Sequence, residues 1–379
     1  MKRYYIVNEY FGIRVYDTIN KKEYYYETKY VDQIKQMLDN QYILINHPKE
    51  KRLSAPLKIS MNLTKKCNLR CIQCFSNSGI ATERELSTKD MYKLFDEMEK
   101  NGTFFICLGG GEPFTRKDIF EILEYGKNKR LAISIVSNGL LLNEEMIKEL
   151  NTMNLDYLWI SFEGMKENHE RLRGIGTFDK TLKTLELLKK FYKGKTALRM
   201  SINKYNIDEC EMLVKIGEEY NVNLIRFTPL LDFGRAKNED LVINGKQYIK
   251  FLKNVSQIKS QKVEIVYPNT PTNKFWVGTN GFGCHCGKEA LWIDEVGTVS
   301  PCIFWGDAYN VGNIKTDDYS ELWNQSLNKS VIKGNKICET CKNYATCRSG
   351  CRARSLYAYG NLDEVDPLCP LRKGSSVKI

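Results

Sequence analysis

The chemistry of this chain begins at Cys67-Asn68-Leu69-Arg70-Cys71-Ile72-Gln73-Cys74, where three residues and then two separate the cysteines. A strand-like apolar run, Leu57 to Leu63, and a polar turn, Thr64-Lys65-Lys66, lead into it. A loop of this spacing turns three thiolates toward one centre. On a four-iron cube, three protein ligands leave one iron open to a reacting molecule. Further cysteines fall at 284/286/302 and at 338/341/347/351/369. Thirteen cysteines in a chain with no export signal argue against a disulfide framework, because the cytosol keeps thiols reduced. Close-spaced thiols in that compartment read first as metal ligands. On spacing alone, Cys338-x2-Cys341-x5-Cys347-x3-Cys351 also suits structural zinc, which needs only four ligands. Cys107 and Cys210 stand apart and read as small hydrophobes packed in a strand and on a helix.

Three more groups can do chemistry. Gly109-Gly110-Gly111-Glu112-Pro113 allows close backbone approach to a ligand and then offers a carboxylate to a cationic group. Ser137-Asn138-Gly139 and Ser161-Phe162-Glu163-Gly164 are polar turns of the same placement. Each group follows an apolar strand-like run.

Those runs are 57–63, 103–108, 132–137, 157–162, 197–203 and 224–230. Helical patterns separate them: Ser87 to Lys100, Lys117 to Lys127, Asn143 to Leu150, Asp179 to Tyr192 and Ile207 to Tyr220. Ser87, Thr88 and Asn143 are suitable helix caps. This alternation predicts an α/β fold, a partial (β/α)6 TIM-type barrel with its active loops at the C-terminal strand ends. Ahead of it, residues 1–50 predict a small β-rich segment, with strands at Tyr4–Val7, Ile13–Tyr16 and Glu23–Glu27 and a helix at Val31–Leu38. That segment is too small to stand alone and should dock on the body or serve as a platform for an extended peptide. Residues 55–235 are then the barrel and 236–283 a bridging region, with a helix from Gln247 to Ile258, a strand from Val263 to Tyr267 and a loop from Pro268 to Gly283. Residues 284–379 form a cysteine-rich cluster-binding domain that opens on a hairpin at Leu291–Val299.

The 379 residues carry a formal charge of +11, which would suit nucleic acid. Against that, the Lys and Arg are dispersed without an RNA-binding signature, and thiolate-held clusters would offset part of the charge. No run of 18 apolar residues or signal-peptide core appears, so the expectation is a cytoplasmic protein without membrane or nucleic-acid partners.

Taken together, Cys67, Cys71 and Cys74 in CxxxCxxC spacing, with the glycine run behind them, resemble the radical S-adenosylmethionine (SAM) enzymes. The resemblance implies that these thiolates hold a [4Fe-4S] cluster whose open iron chelates the cofactor's methionine moiety. It implies that Gly110, Gly111 and Glu112 meet the cofactor amino group and that Ser137 and Asn138 meet the ribose. Ser161 and Arg173 would meet the carboxylate. Gln73 departs from the family, which usually places an aromatic or His there. The implied chemistry is reductive cleavage of the sulfonium to methionine and a 5′-deoxyadenosyl radical, which abstracts a hydrogen atom. The electron would come from a donor such as flavodoxin or ferredoxin. The C-terminal cysteines, with Gly297-x4-Cys302, resemble the SPASM extension. That resemblance implies two auxiliary [4Fe-4S] clusters, three in all. Cys338, Cys341, Cys347 and Cys369 would hold one, and Cys351 would join Cys284, Cys286 and Cys302 on the other.

The resemblance implies two substrate classes. One is a ribosomally made precursor peptide, cross-linked through a thioether or C–C bond or otherwise modified on a side chain. The other is a sulfatase matured to formylglycine, whose enzymes usually carry an Asp where this chain has Ile303. Tyr10-Phe11-Gly12 and Val15-Tyr16-Asp17 resemble the opening of peptide-modifying members. The segment is shorter than a full leader-recognition domain of about 80 residues, which leaves room for a separate leader-recognition protein. A non-catalytic iron–sulfur protein is the third reading, and it leaves the glycine run and the Ser161–Arg173 segment without a task.

Overall fold

A computed structural model describes residues 2–47, 52–268, 286–329, 336–341, 344–347 and 349–369. The loop expected at Pro268–Gly283 and the expected ligand Cys284 lie almost wholly or wholly outside the described residues.

The N-terminal segment is a four-stranded sheet. Strands β1 (Tyr4–Glu9), β2 (Gly12–Asp17) and β3 (Lys22–Glu27) form an antiparallel meander, as the sequence predicts. Helix α1 (Val31–Met37) then carries the chain back to a fourth strand, β4 (Tyr42–Ile45), parallel to β1. The sequence reading missed β4. It is four residues long, and its entry turn depends on Asp39 and Asn40 at φ 43° and 56°, a left-handed conformation that Asn and Asp tolerate.

The body is a ten-stranded open sheet. It contains β5 (Lys58–Thr64), β6 (Phe105–Gly110), β7 (Ala132–Ser137), β8 (Tyr157–Ser161), β9 (Thr196–Ile202), β10 (Leu224–Pro229) and β11 (Glu264–Val266). These are parallel neighbours in chain order. Between them run α2 (Thr88–Asn101), α3 (Ile119–Asn128), α4 (Glu144–Leu150), α5 (Lys166–Arg173), α6 (Thr177–Phe191), α7 (Cys210–Glu219) and α8 (Gly245–Gln257). All six expected strands and the helices between them are present, with α5 as an unforeseen addition. Capping chemistry sets several starts: Ser87 with Asp90 closes a capping box at α2, Asn143 caps α4, and Asn244 with Gln247 closes a box at α8.

Beyond β5 the sheet continues with β12 (Ala290–Ile293), β13 (Thr298–Ser300) and β14 (Gly312–Asn313). The expected hairpin is therefore a continuation of the main sheet, with Ala290–Ile293 parallel to Lys58–Met61. Helix α9 (Tyr319–Lys329) packs back on the body. The Tyr319 hydroxyl lies 2.7 Å from Thr103 Oγ1, and Trp323 Nε1 donates to the Leu53 carbonyl at 2.8 Å. Short helices α10 (Lys336–Glu339), α11 (Tyr344–Cys347) and α12 (Arg352–Tyr359) complete the C-terminal part.

Alternation along the strands defines two faces. Ile59, Met61, Ile106, Leu108, Ile133, Ile135, Leu158, Ile160, Leu198 and Met200 are buried in the core beneath the helices. The alternate residues point to the concave inner face. On this face, the lumen side of the partial barrel, several residues, including Lys58, Ser60, Cys107, Ser161, Arg199 and Arg226, are half-buried. The N-terminal sheet covers the opposite end from the active loops. Tyr16 stacks on Phe104 with ring centroids 4.3 Å apart and donates to the Arg130 carbonyl at 2.9 Å, both just before strand starts. Among the described residues no helix is long and apolar enough to cross a membrane.

Candidate active site

The cysteine loop leaves β5 and is held mainly through its backbone. Cys67 N donates to the Gly79 carbonyl at 3.0 Å, and Ile72 N donates to the Leu172 carbonyl at 3.0 Å. From beyond β10, Arg235 Nε donates to the Cys71 carbonyl at 2.8 Å and Arg235 N to the Cys74 carbonyl at 3.0 Å. Gly234 makes that clamp possible: its φ is +64°, and a Cβ there would lie 2.4 Å from the Phe75 carbonyl oxygen. The sequence reading missed this Gly-Arg pair, although a glycine five residues beyond β10 was the available signal.

The three thiols differ in environment. Burial pushes Cys67 and Cys71 up, with Arg173 pulling Cys71 back. Burial also opposes ionisation of Cys74, but hydrogen bonds from Ser76 and Ser78 and the charge of Arg235 outweigh it and lower its pKa.

The glycine run packs against the start of this loop. Gly111 N donates to the Thr64 carbonyl at 2.7 Å and Glu112 N to the Lys66 carbonyl at 2.8 Å. A Cβ on Gly111 would sit 2.1 Å from the Lys66 carbonyl oxygen, and one on Gly110 would sit 2.7 Å from that of Thr64. These two glycines thus serve a backbone-to-backbone approach. Gly109, by contrast, faces the lumen with only ordinary contacts around its Cβ position.

Glu112 is fully buried. Its carboxylate accepts from Ser137 Oγ at 2.8 Å, Asn138 N at 2.7 Å and Phe114 N at 3.2 Å. Burial raises its pKa, and these donors, with Arg173, oppose the rise. Ser137 therefore points at Glu112, while Asn138 Nδ2 donates to Asn68 Oδ1 at 2.7 Å inside the cysteine loop. Glu112, Ser137 and Asn138 form one connected unit bracing that loop.

Arg173, the last residue of α5, is largely shielded beside Cys71, Glu163, Cys67 and Glu112; desolvation opposes its charge, and these neighbours raise its pKa against it. Its Nη1 donates to Glu163 Oε1 at 3.2 Å, and Ser201 N holds the other Glu163 oxygen at 2.8 Å. Ser161 ends β8 on the lumen face, with no side-chain hydrogen bond among the described residues. Gln73 is buried, and its Oε1 has no partner among the described residues. Glu163 also belongs in this constellation; its place in a strand-end turn was visible in the sequence, but its pairing with Arg173 was not.

His169 supports Glu163, accepting from Glu163 N through Nδ1 at 3.2 Å. Burial, and secondarily Arg173, pushes its pKa down to about 3. An ordinary His near 6.5 in the unfolded chain binds a proton between those values while the native ring does not. The stability contributed by neutral His169 is therefore complete above about pH 6.5 and lost as pH falls toward about 3. The expected result is a stability slope between pH 4 and 6 that is shallower in His169→Asn, by up to about 1.4 kcal/mol per pH unit. Denaturant titration of both proteins at several pH values checks this.

The C-terminal cysteines fall into two neighbourhoods. Cys338 and Cys369 lie close enough to help raise the Cys347 thiol, after burial. Cys341 N donates to the Cys338 carbonyl at 3.0 Å. Cys302 shares an apolar cluster with Cys286 and Cys351, walled by Trp305, Phe304 and Leu362. Asp366 bridges the neighbourhoods: it accepts from Cys351 N at 2.8 Å, pairs with Arg354 at 2.6 Å, and its carbonyl accepts from Cys369 N at 2.8 Å. Gly297, at φ +92°, turns the hairpin that delivers Cys302. Aromatic rings join the two ends of the site. Phe75 contacts Trp292 and Phe304 at 6.1 and 5.8 Å, and Phe233 contacts Phe304 and Tyr357 at 5.6 and 5.1 Å.

Among the described residues no three His, Cys, Asp or Glu side chains converge on a single metal ion. Three thiols on one loop, beside a buried guanidinium, are instead a donor set suited to an iron–sulfur cube, which is gripped from wider apart. Comparison with known proteins agrees. The Radical SAM superfamily matches residues 61–216, and the SPASM iron–sulfur cluster-binding domain matches residues 284–352. The chain is a radical SAM enzyme that carries a SPASM domain.

Its relatives act in more than one setting. It is 28% identical over 362 residues to the Fe-coproporphyrin III synthase of Methanosarcina barkeri, covering 82% of this chain and 87% of that one. It is 28% identical over 340 residues to the mycofactocin maturase MftC of Mycolicibacterium smegmatis, covering 84% of each. The structure of Streptococcus suis SuiB bound to precursor peptide SuiA superposes with a TM-score of 0.75 at 14% identity, covering 97% of this chain and 98% of that one.

Proposed function

We propose that this enzyme modifies a ribosomally made precursor peptide by abstracting a hydrogen atom from one of its residues, giving an oxidative cross-link or related side-chain change. The observation that carries the reading is the N-terminal sheet. It adds nothing to the radical site, which lies at the other end of the strands, yet it presents strand edges at β3 and β4 with Tyr24, Ile43 and Leu44 exposed. Exposed edges of this kind suit an extended peptide. The similarity to a peptide-bound enzyme extends over nearly the whole chain, this sheet included, and a maturase relative supports the same class.

When bound, SAM and the cluster at Cys67, Cys71 and Cys74 supply the hydrogen-abstracting radical. The chain's own residues do the positioning. Arg173, oriented by Glu163, binds the cofactor carboxylate with Ser161. Glu112, fixed by Ser137, Asn138 N and Phe114 N, sets the Gly110–Gly111 backbone that receives the amino group. Gly109 leaves room in the lumen for the substrate. Cys338, Cys341, Cys347 and Cys369 hold one auxiliary cluster. Cys286, Cys302 and Cys351, with Cys284, would hold a second, which would supply an acceptor for the electron left after abstraction.

The test is incubation of reconstituted enzyme with reductant, SAM and the short peptide encoded beside it, read by mass spectrometry. Loss of a hydrogen pair is expected. Continued 5′-deoxyadenosine formation with the peptide mass unchanged would rule out an oxidative cross-link in that peptide.

Glu112→Gln is a sharper probe of the cofactor site. One amide orientation sets an NH2 against the Asn138 N–H, and the other sets it against the Phe114 N–H. A lost buried hydrogen bond costs about 1–3 kcal/mol, so SAM affinity is expected to fall by up to roughly 5- to 150-fold. Equilibrium binding of SAM to the reconstituted variant measures it.

A further inference from the structure

Trp305 and Trp323 are the two largest fully buried side chains among the described residues. An indole N–H can only donate, and a buried one ordinarily finds an acceptor. Trp323 has its acceptor, the Leu53 carbonyl at 2.8 Å. Trp305 does not: its Nε1 is buried with no hydrogen-bond partner among the described residues.

The local fold says what lies around that donor. Trp305 follows Cys302 by three residues, and the chain turns back on itself between them. Trp305 N donates to the Cys302 carbonyl at 3.1 Å, and Phe304 N donates to Cys302 Sγ at 3.5 Å. The turn carries the indole into the apolar cluster that Cys302 shares with Cys286 and Cys351. Leu231, Ala353, Leu356 and Leu362 line the same cluster, and none of their side chains offers an acceptor. Besides the indole's own nitrogen, the side-chain heteroatoms of the cluster are the Tyr309 hydroxyl and the three thiol sulfurs. Tyr309 meets the indole ring edge to face, with centroids 5.5 Å apart. A Phe or Leu would fill such a wall without stranding a donor, and a stranded donor is destabilising. An iron–sulfur cube on these thiols brings in the missing acceptors, its sulfides and thiolates.

We propose that Trp305 Nε1 donates a hydrogen bond to a sulfur of the auxiliary cluster held at Cys302 and raises the reduction potential of that cluster. This rests on the reading that Cys302, with Cys286 and Cys351, holds a cluster. One-electron reduction adds one negative charge to the cube, and a donor aimed at sulfur favours the more negative form. Trp305 is a positioning residue that acts through the cluster, the one to which the electron left after hydrogen abstraction is assigned.

The test is a redox titration of the reconstituted holoenzyme followed by EPR. The signal of interest is the one missing from Cys302→Ala. Trp305→Phe removes the N–H together with part of the ring. Site-specific β-(3-benzothienyl)alanine in place of Trp305 puts sulfur where the N–H was and keeps the ring's shape. Both are expected to lower the equilibrium constant for reducing this cluster about ten-fold, a shift of about 59 mV for one electron. The potential of the signal that responds to SAM should stay where it is. Pulsed ENDOR on protein reconstituted in H2O and in D2O should show an exchangeable proton coupled to the cluster in the wild type and absent from the benzothienyl protein. An unchanged potential in the benzothienyl protein overturns the proposal, even where Trp305→Phe shifts it, because packing alone then explains the shift. Identical exchangeable-proton couplings in the two proteins overturn it as well. Full iron content and an intact spectrum in Cys302→Ala would overturn the cluster assignment beneath it, and the proposal with it. None of these readouts is the peptide mass, so each failure is distinguishable from failure of the peptide reading.

Discussion

Replacing Cys71 by alanine is expected to remove about four irons per chain and to abolish SAM cleavage, at least a thousand-fold below wild type. The size of the effect follows from how the loop is built. Arg235 grips the Cys71 carbonyl, Ile72 N is held by the Leu172 carbonyl, and Cys67 N by that of Gly79. None of these bonds involves the Cys71 side chain, so alanine keeps the loop's shape and removes only the thiolate. Two thiolates cannot retain a cube that three hold. Cys351→Ala is the informative partner: it removes a proposed auxiliary-cluster ligand on the far side of the Phe75–Phe304–Phe233–Tyr357 ring contacts. It should lower iron while leaving reductive SAM cleavage without peptide near wild type. Iron analysis and 5′-deoxyadenosine release measure both variants. Retained SAM cleavage in Cys71→Ala would sink the assignment of the radical cluster to this loop.

What the sequence disclosed and what it hid follow from interaction range. The barrel strands were legible because runs such as Ile59, Met61 and Leu63 mark a buried face, and the helices because local caps such as Ser87–Asp90 start them. The cysteine loop and the strand-end turns were legible because each sits inside a few consecutive residues. The bracing of Glu112 by Ser137, the grip of Arg235 on Cys71 and the pairing of Arg173 with Glu163 were not, since each joins groups distant in sequence or turned by the fold.

The lumen placement of Arg199 and Arg226 was hidden for a different reason. In Leu198-Arg199-Met200-Ser201-Ile202 and Leu224-Ile225-Arg226-Phe227 the polar positions alternate with apolar ones. Alternation of this kind suits a sheet with one face in water. Here the polar face is the inside of the partial barrel, and only the three-dimensional pairing of β9 with β10 sets Arg199 beside Arg226.

The N-terminal sheet is tied to the body by a buried charge group whose removal should be the most destabilising single change outside the clusters. Arg14 is fully buried and donates to Glu9 and Glu23, each at 2.7 Å, and to the Gly102 carbonyl at 3.1 Å. Glu9 in turn accepts from Ser54 N and Oγ, each at 3.0 Å, and Glu23 accepts from the Tyr25 hydroxyl at 2.7 Å. Burial opposes the Arg14 charge, but the two carboxylates hold it firmly protonated. Burial raises Glu23, and Arg14 is the chief influence opposing that rise. Arg14→Met fills similar volume but leaves two carboxylates facing each other without a cation. Breaking a buried ion pair from one side costs about 3–5 kcal/mol. The loss concentrates where Arg14 reaches Gly102, at the join between β2 and the C-terminal end of α2. The expected result is an earlier first thermal transition and faster proteolytic release of the first ~50 residues, the scale of a segment too small to fold alone. Reductive SAM cleavage should continue, because the cysteine loop stands at the other end of the strands. Glu9→Gln together with Glu23→Gln in the Arg14→Met background should recover part of the lost stability by removing the stranded charges. A triple variant no more resistant to protease than Arg14→Met would show that packing, rather than charge, holds the sheet to the body.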